Sequence, residues 1–494
     1  MERWKNKVVW ILMAASMTVS QGPPGDEILF LPGLAEQPNF KQYAGFLNVG
    51  ATRKMFYWFV ASQGSPDKDP LMLWLDGGPG CSAMVTLLKE HGPFRVADNG
   101  KTLVANPYSW NKLASMLYLE APAGVGFSYD PSGNYTSNDD STTDDIQGAL
   151  LDFFSKFPSL KNNEFYIAGK GSAATYVAML ASRLLKDDQG INLKGYAIGN
   201  GALDFRITGN SLLFFGQYHG ILDLELWNSL LSSCCNGSAS EETCSFVEPP
   251  FISLECDTAV EVAAHNIIER GLNNYDLFDT CIGFRPEGNG GRKHDAAQNG
   301  WSTSPYRRAQ EFMLRCLNVK PWKNFGSNPT CLNYDNVTTY MNQPQVRKAL
   351  HNDRSPLLWT PCSDSLLYAT QYITVRDVIK KLVDSGRLKS LFYSGDTDMT
   401  FNVIGNQLFV ESLGLETLSE YKLWKLNEQV AGYYQTYKGN VTFLTVKEQL
   451  ALPWRQRQPS ATPLSNPKYG SRPHGCGKKA GGSTRRHFAS FQAG

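Results

Sequence analysis

Apolar and polar positions along the chain follow the rhythm of an α/β protein. Lys54 to Ala61 and Leu71 to Leu75 are strand-like, and the second run is apolar throughout, as expected of a strand covered on both faces. A glycine-rich turn, Asp76-Gly77-Gly78-Pro79-Gly80, follows at once. Another apolar strand, Met116 to Glu120, runs into Ala121-Pro122-Ala123-Gly124-Val125-Gly126. Ile146, Ala149, Leu150 and Phe153 recur at helical spacing, which predicts a helix over Thr143 to Phe157 that Pro158 stops. Strand Phe165 to Ala168 comes next, then Gly169-Lys170-Gly171 and a second helix through Leu185. Such alternation predicts a parallel, doubly wound sheet.

The alternation breaks between about residues 203 and 340, a stretch rich in Cys, Asn and Gly with helical patches at Leu222 to Leu231 and Ala259 to Ile268. This predicts a cap (203–340) inserted between two parts of one core (28–202 and 341–450). Regular pattern resumes with Val346 to Leu350, a helix near Val375 to Ser385, strand Ser390 to Tyr393, the loop Ser394 to Asp398 and strand Val441 to Val446. Residues 451–494 carry eight Lys and Arg and no Asp or Glu, with Pro, Gly, Ser and Gln dominant. Lacking apolar periodicity, this basic tail is predicted to be disordered.

At 494 residues, 42% of them hydrophobic and 19% charged, the chain can bury a sizeable core, which excludes wholesale disorder. A net charge of +1 gives no overall footprint for nucleic acid. No apolar run reaches the roughly 18 residues of a membrane span. Arg3, Lys5 and Lys7 precede an uncharged run from Val8 to Val19, and Thr18 and Ser20 offer small residues at a cleavable spacing, so residues 1–20 read as a secretory signal peptide. Two further features agree with export. Ten cysteines are present, four of them crowded at Cys234, Cys235, Cys244 and Cys256, and glycosylation sequons stand at Asn134, Asn236, Asn336 and Asn440. Metal binding by the crowded cysteines is the competing reading, but no histidines sit at zinc-finger spacing, so neither metal nor cofactor is expected.

Several motifs in order resemble the serine carboxypeptidase family. They are Trp74-Leu75-Asp76-Gly77-Gly78-Pro79-Gly80-Cys81-Ser82, Glu120 through Tyr129, Phe154 with Phe157-Pro158, and Phe165-Tyr166-Ile167-Ala168-Gly169. Gly199-Asn200-Gly201, Tyr218-His219-Gly220, Val346-Arg347-Lys348-Ala349-Leu350 and Tyr393 through Asp398 with Asn402 continue the match, over roughly residues 28 to 447. The resemblance implies an α/β-hydrolase fold with a doubly wound, mostly parallel sheet and an inserted cap. It also implies release of C-terminal amino acids from peptides at acidic pH by a Ser-Asp-His triad, the serine on a strand-to-helix elbow.

The chain departs from that pattern where the chemistry sits. The family elbow reads Gly-Glu-Ser-Tyr-Ala-Gly, whereas Gly169-Lys170-Gly171-Ser172-Ala173-Ala174 stands here, placing Gly171 at the nucleophile position. Ser172 is a poor substitute: an elbow needs small residues two before and two after its centre. Gly169 and Ala173 suit a centre at 171, while a centre at 172 puts Lys170 in a small-residue position. A one-residue slip would also turn the hydroxyl by about 100° at a helix start. Asp398 matches the triad acid, and a loop carboxylate accepting backbone N–H bonds is its alternative role. The family histidine, in Gly-Ala-Gly-His after the last strand, has no counterpart: Glu448-Gln449-Leu450-Ala451 follows Lys447, and His474 and His487 fall in the tail.

By resemblance, Asp76 and Lys170 replace the Asn and Glu that bind the substrate's terminal carboxylate, beside Gly77 in the same pocket. Asp76 would repel that carboxylate. Lys170 either pairs internally with Asp76, closing the site with its own charges, or reaches solvent. The oxyanion donors implied are the N–H groups of Gly78 and Ser172. The disulfides implied are Cys81–Cys362, Cys234–Cys256, Cys235–Cys244 and Cys281–Cys331, leaving Cys316 and Cys476 unpaired. The chain thus reads as a secreted or lysosomal family member, catalytically silent as written, that binds a peptide or protein ligand; family members can be dimers. Two alternatives stand beside this: an active carboxypeptidase or acyltransferase using Ser172, or a misplaced exon boundary after Lys447, which would restore a histidine but no serine at 171.

Overall fold

The computed structural model describes residues 22–187, 189–237, 244–247, 253–268, 272–279 and 333–447. The predicted signal peptide, Cys281–Cys331, Cys316, Cys476 and the basic tail lie outside the described residues. The first half of the chain gives strands β1 (Gln42–Val49), β2 (Arg53–Val60), β3 (Leu71–Leu75), β4 (Phe94–Val96), β5 (Leu103–Ala105), β6 (Ser115–Leu119), β7 (Thr136–Asn138), β8 (Phe165–Gly171) and β9 (Leu193–Gly201). The second half gives β10 (Leu367–Ala369), β11 (Lys389–Gly395), β12 (Lys422–Leu426), β13 (Gln429–Tyr437) and β14 (Val441–Val446). Ten of them form one sheet in the order β1-β2-β6-β3-β8-β9-β11-β14-β13-β12.

The centre of that sheet, from β6 through β14, is parallel, and antiparallel strands flank it on both sides. The mixed edges refine the expectation of a parallel sheet. β12 is largely exposed and β13 only partly covered, so their sequences lack the apolar run that marks a covered strand. In β2, by contrast, the two-residue period sends Met55, Tyr57 and Phe59 to one core and Phe56, Trp58 and Val60 to the other, all buried. A strand buried on both faces has no polar side to show. Burying each such side chain contributes about 1.5–3 kcal/mol.

Helices cover both faces. Ala173–Lys186 and Asp139–Lys156 pack on the first core through Tyr176, Val177, Leu180, Ile146, Leu150 and Phe153. Ala83–Lys89 and Asp335–Met341 pack on the second through Met84, Leu87, Leu88, Val337 and Tyr340. Asp139–Lys156 begins one turn before the predicted Thr143. Its Asn138 side chain accepts from Ser141 N–H at 2.8 Å while Ser141 Oγ accepts from Asn138 N–H at 2.9 Å, a reciprocal cap in a polar first turn that hydrophobic periodicity does not register.

Between the two parts of the core, helices Phe205–Tyr218, Leu224–Cys235 and Leu254–Ile268 build a third apolar cluster around Phe214, Trp227, Leu230 and Ile267. Disulfides Cys234–Cys256 and Cys235–Cys244 lie inside it, and Cys81–Cys362 ties the glycine-rich turn to the second part of the core. Among the described residues, no helix is long and apolar enough to cross a membrane.

Candidate active site

One residue sets the turn from β8 into the helix Ala173–Lys186. β8 ends at Gly171, whose φ of +58° lies in the left-handed region that glycine adopts without steric cost. Ser172 follows in right-handed geometry (φ −64°, ψ −17°) as the N-cap of Ala173–Lys186, and its hydroxyl makes no capping bond. Close packing explains the small neighbours. A Cβ on Gly169 would lie 2.9 Å from Leu75 O, and one on Gly77 would lie 2.6 Å from the N atoms of both Ser172 and Ala173. The Asp76-Gly77-Gly78 turn therefore rests directly on the elbow. No described acceptor takes the N–H of Gly78 or of Ser172.

A side chain at 171 would point toward the loop after β11. Its Cβ would meet the Phe401 ring at 3.3 Å, with no other neighbour outside the chain's own continuation within 4 Å than that ring. Asp398 stands in this loop, buried, with Oδ1 accepting the Phe401 N–H at 3.0 Å. Burial raises its carboxyl to about 7, against the lowering effect of the Phe401 and Thr400 N–H groups and of Lys170. The loop is fastened from the cap: Asn274 O accepts the N–H groups of Met399 at 3.0 Å and Thr400 at 3.1 Å, and Leu277 N–H donates to Thr397 O. Asn200, at the end of β9, locks it from the other side by donating to Phe401 O at 2.9 Å and accepting from Gly395 N–H at 2.9 Å.

No imidazole joins these groups among the described residues. His91 pairs through Nδ1 with the Tyr118 hydroxyl, His219 and His351 face the carbonyls of Phe215 and Ala44, and His265 lies 3.9 Å from Glu261. Neither Ser172 nor Asp398 is hydrogen-bonded to any of them. β14 ends beside the loop of Asp398, where Asp396 N–H donates to Val446 O at 3.2 Å, and the residues after Lys447, with His474 and His487, lie outside the described residues.

The internal Lys170–Asp76 pair expected from the sequence is present, and a third member, Glu90, joins it. Lys170 Nζ is 3.8 Å from Asp76 Oδ2, but its shorter partner is Glu90, at 2.5 Å from Oε1. Asp76 Oδ2 is occupied by the Thr86 hydroxyl, and its Oδ1 accepts Gly77 N–H at 3.2 Å. Burial lowers the affinity of Lys170 for its proton, yet the carboxylates of Asp76 and Glu90 outweigh it and hold the amine above its ordinary range. Burial pushes the Glu90 carboxyl up, with Lys170 opposing. Sequence reasoning missed Glu90. A signal existed: Glu90 is the C-cap of Ala83–Lys89, where a carboxylate opposes the helix dipole, so it has another reason to be there.

A second buried carboxylate underlies the turn. Glu120 accepts from the Ser82 hydroxyl, from Trp359 Nε1 at 2.8 Å and from Phe127 N–H at 2.6 Å, and burial raises it to about 7 against those three donors.

The sequence of residues 32–450 matches the family model described as serine carboxypeptidase. The chain belongs to the serine carboxypeptidase family. It is 37% identical over 451 residues to the lysosomal protective protein of Mus musculus, with 88% of this chain and 92% of that protein aligned. A serine carboxypeptidase of Caenorhabditis elegans is 36% identical over 451 residues, covering 89% and 92%. The crystal structure of a prohormone-processing carboxypeptidase from Saccharomyces cerevisiae superimposes with a TM-score of 0.63 at 23% identity, over 87% of this chain and 92% of that one. This serine carboxypeptidase-family chain therefore has the α/β-hydrolase fold.

Proposed function

We propose that this family member does not cleave peptides and serves as a binding or regulatory homologue. One observation carries the reading: the residue at the tight bend of the elbow is Gly171, in left-handed backbone geometry, so no nucleophilic side chain enters the cleft at that point. Asp398, the matching acid, has its Oδ1 committed to Phe401 N–H and, among the described residues, no histidine to orient. The unoccupied N–H groups of Gly78 and Ser172 can still hold an oxygen of a ligand. Without nucleophile and base, a hydrolase retains on the order of 10³ to 10⁴ over water against a loss of about 10⁶. That residue of rate is not a working peptidase.

The protein is proposed to act after export, in the secretory route or the lysosome. Three disulfides and exposed sequon residues Asn134, Asn236 and Asn440 support this, alongside the basic-then-apolar first twenty residues. The test is fluorophosphonate labelling of the purified secreted protein. We expect no covalent adduct. Stoichiometric modification of Ser172 would overturn the proposal and establish an active hydrolase or acyltransferase working through that hydroxyl.

A further inference from the structure

At the opposite end of the sheet from the cleft, roughly 20 Å along β8, lies an open depression of about 510 Å³. Three cationic side chains line it from three different elements. Lys161 comes from the 3-10 turn Pro158–Asn162 before β8, Lys194 from the start of β9, and Arg387 from the link between the helix Arg376–Asp384 and β11. No Asp or Glu lines it. Among the described residues the side chains of Lys161 and Lys194 have no hydrogen-bond or ion-pair partner, and the Arg387 guanidinium donates to a neutral acceptor, Leu185 O, at 3.4 Å. Glu164, the acid nearest in sequence to Lys161, accepts instead from the Tyr166 hydroxyl at 3.0 Å.

The sheet is shaped to bring Lys194 there. Phe165 pairs with Leu193 but Tyr166 with Gly195, so Lys194 is an extra residue in β9, a bulge. Consecutive side chains of a regular strand leave on opposite faces, whereas a bulge bends the strand and re-aims one of them. Both Leu193 and Lys194 line the depression. Three like charges gathered in one concavity repel one another, and no described carboxylate offsets that repulsion.

We infer that this depression binds a sulfated oligosaccharide. Its polar side chains are two ammonium groups, a guanidinium and the amides of Asn162 and Asn192, a set that matches sulfate esters and sugar hydroxyls together. The volume falls within the roughly 300–1,000 Å³ of small-molecule sites, more than one inorganic anion fills. No aromatic side chain lines the depression, so it lacks the stacking platform on which single-stranded nucleic acid is held. The choice of a sulfated sugar rests on the proposed export, sulfated glycans being polyanions of the extracellular space. Gly171 and the cleft do not enter.

The experiment measures calorimetric binding of a heparin-derived tetrasaccharide to the intact secreted protein at about 0.15 M salt. The basic tail is a rival site for any anion, so two variants are compared. One carries Lys161→Gln, Lys194→Gln and Arg387→Gln, the other Lys478→Gln, Lys479→Gln, Arg485→Gln and Arg486→Gln. Affinity is expected to fall roughly tenfold or more in the first and less than about twofold in the second, while Lys194→Arg retains it. Tetrasaccharide stripped of its sulfates is expected not to bind. Unchanged affinity in the depression variant, loss in the tail variant alone, or equal binding of the desulfated sugar or of a thymidine oligonucleotide would each overturn the inference. So would full displacement by equimolar inorganic sulfate, which would reduce the depression to a simple ion site. Should the triple change unfold the chain, Lys194→Gln alone decides, with an expected loss of about threefold. Fluorophosphonate labelling reads the cleft and glycopeptide analysis reads export, so each reading fails on a result of its own.

Discussion

Gly171 and Phe401 stand in one another's way: a Cβ on the glycine would come within 3.3 Å of Phe401 Cε2. The ring leans over the point where a side chain at 171 would emerge, and Phe401 N–H at the same time donates to Asp398 Oδ1. One residue of the loop after β11 thus covers the direction of a side chain at 171 and holds the Asp398 carboxylate.

Restoring the side chain should therefore destabilise the protein. Gly171→Ser places an L-residue at φ +58°, which costs about 1–2 kcal/mol, and requires the Phe401 ring to yield by a few tenths of an ångström. We expect a lower thermal midpoint and no fluorophosphonate adduct, since no imidazole among the described residues is bonded near the bend. An equal or higher midpoint for the variant would contradict the strain argument.

Stability should rise on acidification. Asp398 and Glu120 both have carboxyls raised by burial to about 7, so each binds its proton more tightly folded than unfolded. Their contribution is fully present below the ordinary carboxylate range of about 4 and is lost as pH climbs through about 7. The midpoint of denaturation measured across that window should fall with rising pH. Asp398→Asn, which keeps an oxygen for Phe401 N–H, should flatten the slope. A profile with its steepest loss on the acid side of 5 would contradict this assignment.

Much of this architecture was legible in the sequence, and the gaps have physical causes. Leu71–Leu75 and Phe165–Gly171 are buried central strands whose apolar runs announce themselves, and the tight bend at 171 follows from the small residues Gly169 and Ala173. β12 and β13 were silent because a strand that is exposed or only partly covered carries no continuous apolar run. The Lys170–Glu90 contact joins residues 80 apart in sequence, and only the packing of Ala83–Lys89 on the sheet brings them together. Phe401 as the residue covering the elbow was equally invisible, since its neighbours come from β8, β9 and the loop itself.

The disulfides should differ in what they contribute. Cys81–Cys362 closes a loop of 281 residues and Cys235–Cys244 one of 9. Chain-entropy reasoning gives about 5.5 kcal/mol for the first and about 2.5 kcal/mol for the second. Paired Cys→Ser replacements compared by denaturant midpoint should show the larger loss for Cys81–Cys362. It also aligns the flanking bonds Ser82 N–H to Pro361 O and Ser363 N–H to Gly80 O, both 2.8 Å. Equal losses would show that native packing, rather than the constraint on the unfolded chain, sets the effect.

The four sequons should not be used alike. Asn134, Asn236 and Asn440 are exposed, whereas Asn336 is half-buried and donates its Nδ2 to Val96 O at 3.0 Å and Ala97 O at 3.4 Å. A glycan is attached through that same nitrogen, so modification of Asn336 removes one of its hydrogens and forces the side chain out toward solvent. Losing the contacts costs about 0.5–1.5 kcal/mol per bond and loosens the seat of Asp335–Met341 against β4. Glycopeptide mass spectrometry of protein secreted from eukaryotic cells should find sugar at Asn134, Asn236 and Asn440 and an unmodified Asn336. High occupancy at Asn336 without any change in thermal midpoint would mean that its amide has no structural role.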